Sequence, residues 1–186
     1  MVMKQTNSQW HDLREVKKGD YGELLVKELL EKQGYILYQP TTDGAHGFDS
    51  YAYKNGRIEF AVEVKTKPKC KKYPETGFNE NQYRKYIKLS KENNIPVKIF
   101  FVDEDLAEIY GNYLSELDKP YVDPTQSKPY PKVVGHTGGA NLTRYFPMKH
   151  MKKFATLSPT AIATLKVLNG GNHEQSNSFG QFNPRR

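Results

Sequence analysis

The sequence predicts a mixed α/β fold in which a central mixed β-sheet is flanked by helices, in the order helix, three strands, helix and two strands. Three observations lead to this prediction: an amphipathic helix near the start, a strand at 58–65 that alternates strictly, and a second helix followed by a nearly continuous apolar strand at 97–102. With 186 residues, the chain is long enough for one domain with a proper core.

The first helix is predicted over 19–30, where leucines recur at helical spacing, and Gly34 provides a natural stop. A short strand is expected around Gly34 and Tyr35. Within the helix, Glu23 lies three positions after Asp20, which has two interpretations. Glu23 either completes a capping box with Asp20, or it is a further ligand for a metal or a water.

A hairpin is predicted next, because 48–53 and 58–65 both have strand character and Lys54-Asn55-Gly56-Arg57 is a strong turn signal. A two-residue turn would set Asp49 opposite Val62 on the apolar face, where an unpaired carboxylate is costly. We therefore predict a three-residue loop, with a type I turn from Tyr53 and Gly56 as the left-handed bulge residue. This register places Asp49, Glu63 and Lys65 on one face and Phe48, Ala52, Ile58, Phe60, Val62 and Val64 on the core face.

Two carboxylates on neighbouring strands suit Mg²⁺, a hard cation that takes oxygen ligands and keeps several waters. The ammonium group of Lys65 can lower the pKa of an attacking water, position that water, or neutralise charge as the reaction proceeds. These residue types fit phosphodiester hydrolysis. The alternative is a solvated strand face with a Glu/Lys pair, a common pattern that carries no chemistry.

Taken together, these motifs resemble the PD-(D/E)XK nuclease superfamily, which includes archaeal Holliday junction resolvases and many restriction endonucleases. The resemblance covers roughly the first two thirds of the chain. Phe48 departs from it, since it stands where the name-giving motif has proline. The matching residues are, in order, Gly19, Gly22 and Glu23 on the first helix, Gly34 and Tyr35 on a strand, then Asp49, Glu63 and Lys65.

The resemblance implies a restriction-endonuclease-like core (αβββαββ) and an Mg-dependent endodeoxyribonuclease, with Mn²⁺ as a substitute, that serves DNA repair, recombination or restriction. It implies that Asp49, Glu63 and the Val64 carbonyl hold the metal, that Glu23 joins the metal site, and that Lys65 assists the water. Gln82 resembles a glutamine that some resolvase-like members place near the site. A solvent-facing helical glutamine is the equal alternative.

The remaining elements follow from composition and periodicity. A second helix is predicted from Asn79 or Glu80 to Asn93, a fifth strand over 107–114, and a further strand over 142–146. Ser158-Pro159 is a good helix start before 161–168. We expect a single nuclease domain at 1–168, with its core at about 18–115 and an extension at 116–168. Within that extension, the Pro- and Gly-rich segment 119–139 reads as an excursion or a long loop, and 169–186 as a flexible tail.

The charge distribution favours DNA as the partner. The net charge is +7, and lysines crowd the loop after the Glu63 strand, where they are expected to contact phosphates. A solubilising surface loop is the alternative. His46 lies in a glycine-rich loop that can reach the scissile phosphate, although a turn histidine without catalytic duty is the simpler interpretation. The predicted phosphate-binding lysines are Lys67, Lys69, Lys71 and Lys72.

Other classes of protein are not supported. Cys70 is the only cysteine, the five histidines show no paired ligand spacing, and no phosphate-cradling Gly-Lys-Ser/Thr loop occurs. No apolar stretch approaches a membrane span and no secretory segment is evident, so we expect a cytoplasmic protein without a membrane partner. Two alternatives stay open: a nuclease that acts on RNA or single strands, and a nucleic-acid-binding module that does not cleave. A homodimer is also open, since symmetric cutting needs two sites.

Overall fold

The computed structural model describes residues 14–39, 47–125, 127–135 and 142–169. The elements up to the middle of the chain are α1 (Arg14–Lys32), β1 (Ile36–Tyr38), β2 (Ser50–Lys54), β3 (Arg57–Thr66), β4 (Glu75–Asn79), α2 (Glu80–Asn93), β5 (Val97–Asp103) and β6 (Glu108–Tyr113). The later elements are α3 (Leu114–Leu117), β7 (Tyr121–Asp123), β8 (Lys128–Tyr130), β9 (Lys132–Gly135), β10 (Leu142–Pro147), a 3₁₀ turn (Met148–His150), β11 (Lys152–Thr156) and α4 (Pro159–Asn169).

The central sheet has six strands in the order β1-β2-β3-β5-β6-β11. Strands β3 and β5 are parallel, and all other neighbours are antiparallel. The crossover from β3 to β5 passes through α2, as a parallel connection requires. The mixed sheet and the element order αβββαββ are therefore confirmed, with β4 inserted between β3 and α2. This is a restriction-endonuclease-like core.

Both faces of the central sheet are buried. One face, here called the α1 face, packs Phe60, Val62 and Phe100 against α1 and α4. The opposite face, here called the α2 face, packs Ala61 and other side chains against α2 and the second sheet. The polar side of β3 is thus not a solvated face, and Glu63 is only 4% exposed. Covering elements that lie elsewhere in the chain cannot be deduced from the alternation of one strand.

The β2–β3 hairpin has the predicted register at its far end but not the predicted turn. Its tip is a two-residue turn with positive φ at both Asn55 and Gly56, which fits type I′. A bulge follows, because Tyr53 pairs with Ile58 whereas Ala52 pairs with Phe60. The extra residue restores the even register, in which Ser50 pairs with Val62 and Ala52 with Phe60. The predicted register is thus confirmed beyond the bulge, whereas the predicted three-residue loop is wrong.

Phe48 does not share the face of Ala52 and Phe60, contrary to the prediction. It belongs to the α2-face cluster, with its ring centroid 5.5 Å from that of Tyr86. The reason is local, because residues 47–49 form a bend and the strand alternation begins only at Ser50. The face of a residue that precedes a strand cannot be extrapolated from its parity.

Helix α1 begins five residues earlier than the predicted Gly19, so Asp20 lies inside it and the capping-box interpretation of Glu23 is wrong. The buried stripe recurs every four residues, at Lys18, Gly22, Val26 and Leu30. Lys18 is a charged member of this stripe, and its ammonium is 2.5 Å from Glu104 Oε1. This ion pair allows the first turns of α1, which precede its apolar part, to pack against the rest of the protein.

The segment 119–139 is an excursion rather than one long loop, because its described residues include β7 and β8, which pair with each other, and β9. Strand β9 joins β10 and β4 in a three-stranded second sheet. The predicted strand at 142–146 is confirmed as β10, and β11 extends the central sheet at its edge. Helix α4 starts at Pro159 as predicted, with Ser158 Oγ accepting a hydrogen bond from the Ala161 amide at 3.1 Å.

The described helices show no membrane-spanning candidate: none of them combines the length and the apolar character that crossing a bilayer needs. The predicted flexible tail lies outside the described residues, apart from Asn169, which ends α4.

Candidate active site

The carboxylate of Asp49 is fixed against β3 by two backbone contacts. Its Oδ2 accepts a hydrogen bond from the Val64 amide at 2.7 Å. Its own amide donates to the Val62 carbonyl at 3.1 Å. Asp49 therefore sits where β2 begins and β3 ends, although it precedes the regular part of β2.

Glu63 and Lys65 lie on the α2 face of β3, two residues apart. The Lys65 ammonium donates to Glu63 Oε1 at 2.6 Å, and the Tyr86 hydroxyl donates to the same oxygen at 2.5 Å. Lys65 Nζ is also 3.5 Å from the Tyr86 hydroxyl oxygen. The three polar groups form a closed triangle in a largely buried setting, since the Lys65 side chain is 16% exposed.

Glu23 reaches this region because Gly22 allows α1 to approach β3 closely. A Cβ atom at Gly22 would lie 1.8 Å from Thr66 Oγ1, so no other residue fits without displacing the strand. The next residue, Glu23, lines a small cleft together with Asp49, Val64 and other side chains. The Gly-Glu pair of the first motif thus has a steric basis: Gly22 lets α1 approach β3, and this approach brings Glu23 to the cleft.

Burial and mutual repulsion shift the acidities of these carboxylates. Burial, followed by the charges of Glu63 and Glu23, raises the pKa of Asp49 to about 7, against the weaker effects of the Val64 amide and Lys65. Burial, and then the charges of Asp20 and Glu63, also raise the pKa of Glu23. The Lys65 charge therefore offsets the mutual repulsion of these carboxylates only in part.

A donor set of this kind fits a hard divalent cation. Mg²⁺ is commonly held by one or two carboxylates together with waters and substrate phosphates, and Asp49 and Glu63 are the pair that the fold offers. Within the described ranges, no three or more His, Cys, Asp or Glu side chains are grouped so that they can hold a metal together. The role of Glu23 as a further metal ligand remains a prediction.

The lysines of the loop after β3 differ in their accessibility. Lys67 is half-buried and its ammonium donates to the Gly77 carbonyl at 2.6 Å, while the Lys69 ammonium lies 3.4 Å from the Cys70 carbonyl. Burial, with the neighbouring charge of Lys65, lowers the pKa of Lys67. Lys71 and Lys72 are exposed. Their contact with phosphate remains a prediction, and it is sterically simplest for the last two.

Gln82 lies exposed in the first turn of α2, one helical turn before Tyr86. Its role remains a prediction, and His46 lies outside the described residues. Tyr86 is the site residue that sequence reasoning missed, because its helical spacing marked it as apolar core. The four-residue spacing from Gln82 was the available signal, since it places both residues on the same side of the helix.

Comparisons with known proteins give similar folds only. No protein-family model and no curated protein matches the chain. Among solved structures it is similar to Hjc, a Holliday junction resolvase from the archaeal hyperthermophile Archaeoglobus fulgidus, with 14% identity, a TM-score of 0.46, and coverage of 71% of this chain and 90% of that one. It is also similar to D212, a nuclease from a fusselovirus, with 10% identity, a TM-score of 0.41, and coverage of 91% and 98%. Strand order and pairing within this chain make its fold class restriction-endonuclease-like.

Proposed function

We propose that this protein is a metal-dependent nuclease that hydrolyses phosphodiester bonds in DNA. The observation that carries the proposal is the buried group at the end of β3, in which the Lys65 ammonium bonds to Glu63 and the Asp49 carboxylate is held by the Val64 amide between them in sequence. Charged side chains are rarely buried together without a partner for the excess charge. A cation and the phosphate that it binds are the partners that this arrangement fits.

Asp49, Glu63 and the Val64 carbonyl would hold Mg²⁺, with Mn²⁺ as a substitute, and the charge of Glu23 would assist. The bound ion supplies Lewis acidity that neutralises charge on the attacked phosphate and on the departing oxygen. The pKa of Asp49, raised to about 7, fits this role, because burial and the charges of Glu63 and Glu23 outweigh the weaker effects of the Val64 amide and Lys65, and a bound cation would offset them.

Lys65 orients the nucleophile in this proposal. Its ammonium, already held by Glu63 Oε1 at 2.6 Å, donates a further hydrogen bond to the attacking water and stabilises the charge that develops on the phosphate. The water oxygen forms the new P–O bond as the bond to the leaving oxygen breaks. Tyr86 keeps Glu63 in place. Among the residues that the structure describes, the hydrogen bonds of the Glu63 carboxylate end on Oε1, which leaves Oε2 for a cation.

DNA is the proposed substrate because the chain is basic and because lysines border the site. Repair, recombination and restriction are the processes that this chemistry fits. Cutting both strands symmetrically would require a homodimer or two separate events. RNA cleavage and binding without cleavage are the competing functions, and the assay below separates them.

The test is cleavage of supercoiled plasmid and of a synthetic four-way junction, with Mg²⁺ or Mn²⁺, by the wild type and by Lys65→Met. Lys88→Met is the matched control, since Lys88 is an exposed lysine of α2 whose ammonium lies 3.8 Å from Glu92, a long contact between two exposed side chains. We expect metal-dependent nicking by the wild type and the control and none by Lys65→Met. Metal-dependent cleavage of RNA alone would redirect the proposal to that substrate, and salt-sensitive binding without any cleavage would overturn it.

A further inference from the structure

A cluster of lysines and tyrosines lies on the excursion formed by β7, β8 and β9, together with the loop before β4. We call it the excursion surface, and define it by Lys72, Tyr73, Tyr121, Lys128 and Lys149. The Lys128 ammonium lies 3.4 Å from the centroid of the Tyr73 ring, and the Lys72 ammonium lies 5.3 Å from it. Two segments that are distant in sequence thus present cations around one aromatic ring.

An open cleft of about 280 Å³ adjoins this cluster. Its walls include the Tyr121 ring and three prolines, Pro74, Pro124 and Pro147, and Lys149 stands at its side with the ammonium 5.7 Å from the Tyr121 ring centroid. Asp123 and Thr125 add polar groups to the lining. Rigid apolar walls with few polar groups are typical of a site for a flat ring.

The cleft and the cluster adjoin each other, because Pro74, which lines the cleft, directly follows Tyr73. They are also linked beneath the surface by Tyr130, which is buried. The ring of Tyr121 stacks on Tyr130 at 6.3 Å, Lys132 lies 5.1 Å from the Tyr130 ring, and the same ammonium lies 5.2 Å from the Tyr73 ring. A ligand in the cleft would therefore lie beside the lysine cluster.

The charge of this surface is positive and partly unpaired. Lys132 is neutralised by Glu75, whose Oε2 is 2.6 Å away and which is itself buried. Within the described part of the chain, no carboxylate forms an ion pair with Lys72, Lys128 or Lys149. Three such cations beside an aromatic cleft fit a polyanionic ligand that also has exposed planar rings.

We propose that the excursion surface binds an unpaired stretch of a DNA strand, with one base against Tyr121 in the cleft and flanking phosphates on Lys72, Lys128 and Lys149. Bases within a duplex are stacked and unavailable to such a cleft, whereas unpaired bases stack readily on aromatic side chains. The inference rests on the proposed function and deepens it, because it names DNA with an unpaired stretch, such as a gapped duplex, as the substrate class.

The test is equilibrium binding in EDTA, where no cleavage can occur, of a gapped duplex and of the continuous duplex of the same sequence. Tyr121→Leu removes the ring and keeps an apolar side chain, while Tyr121→Phe keeps the ring. Lys128→Glu removes a phosphate contact. Its matched control is Lys166→Glu, because Lys166 is exposed on α4, on the opposite side of the central sheet.

We expect the wild type to prefer the gapped duplex, and Tyr121→Leu to weaken gapped binding roughly 5- to 100-fold while Tyr121→Phe retains it. Lys128→Glu should lower the slope of log K against log salt by about one, and Lys166→Glu should leave that slope unchanged. Equal binding of both duplexes, or equal effects of Lys128→Glu and Lys166→Glu, would overturn the inference.

These results are separable from the test of the proposed function. If Lys65-dependent cleavage is found while Tyr121→Leu binds like the wild type, only the excursion surface is refuted. If no cleavage is found while gapped binding depends on Tyr121, the nuclease proposal fails and the binding surface stands.

Discussion

The two faces of the central sheet are both buried, but their contents differ. The α1 face is filled mainly by aliphatic and aromatic side chains such as Phe60, Val62 and Phe100, together with the buried ion pair of Lys18 and Glu104. The α2 face also buries carboxylates, and most of them have a tyrosine or a cation as partner. The pairs are Glu63 with Tyr86 and Lys65, Glu75 with Tyr130 and Lys132, Glu80 with Arg144 and Arg84, and Asp103 with Tyr110.

Asp49 is the exception among these carboxylates. It accepts a backbone hydrogen bond from Val64, but no cation bonds to it directly, and its pKa rises to about 7. By contrast, hydrogen bonds and charges from Arg144 and Arg84 outweigh burial and lower the pKa of Glu80. A structural carboxylate has its charge neutralised by a partner within the protein, whereas a carboxylate that binds a ligand keeps charge that the protein does not neutralise.

The largest effect should come from Glu63→Gln, which preserves shape and removes the charge at the centre of the proposed metal site. We expect cleavage to fall roughly a thousandfold or more, as removal of a main electrostatic contributor does. The measurement is single-turnover cleavage with saturating Mg²⁺. Circular dichroism should show an intact fold, and a fully active Glu63→Gln protein would remove Glu63 from the mechanism.

The second prediction concerns a structural carboxylate. Arg144→Met leaves buried Glu80 with only the exposed Arg84 and also removes the cation 3.8 Å above the Tyr83 ring. We expect a loss of about 2–3 kcal/mol in the free energy of unfolding, because a buried carboxylate loses its main partner. Thermal unfolding measures this. Cleavage below the unfolding transition should be retained, and its complete loss would place Glu80 with the functional carboxylates instead.

The same division explains what could be predicted from sequence. The sequence alone predicts that Asp49, Glu63 and Lys65 lie near one another, because alternation along one hairpin is a local property. The predicted three-residue loop is wrong, but the bulge between the turn and Ala52 gives the same even register. The burial of Glu63 was missed, because its cover comes from elsewhere. Strand β4 pairs with β10, in which Arg144 stands opposite Phe78, a pairing that no local pattern reveals.

The third prediction uses the raised pKa of Asp49. Because the folded-state pKa lies above the unfolded value, ionisation of Asp49 lowers stability progressively from about pH 4 to about pH 7, and the full loss applies above that. Asp49→Asn does not titrate there and should therefore be more stable than the wild type at about pH 8 in EDTA, by up to about 4 kcal/mol for a rise of about three pKa units.

Thermal unfolding of both proteins across this pH range is the measurement. The difference should shrink towards about pH 4 and should also shrink when Mg²⁺ is added to the wild type, since a ligand that binds the folded state stabilises it. A less stable Asp49→Asn protein at high pH would show that the Asp49 charge is already compensated in the folded chain.

The smallest effect should come from Tyr86→Phe, which tests whether a partner of a functional carboxylate positions it or only fills space. The change keeps the ring between Phe48 and Phe78 and removes only the hydroxyl that donates to Glu63 Oε1. If the hydroxyl positions Glu63, cleavage at saturating Mg²⁺ should fall by about tenfold, in line with the loss of one hydrogen bond to a charged group. The Mg²⁺ concentration for half-maximal activity should also change. If the hydroxyl serves stability alone, only the unfolding temperature should move. Tyr83→Phe is the matched control, because its hydroxyl donates to Asp118, away from the site, at 2.7 Å.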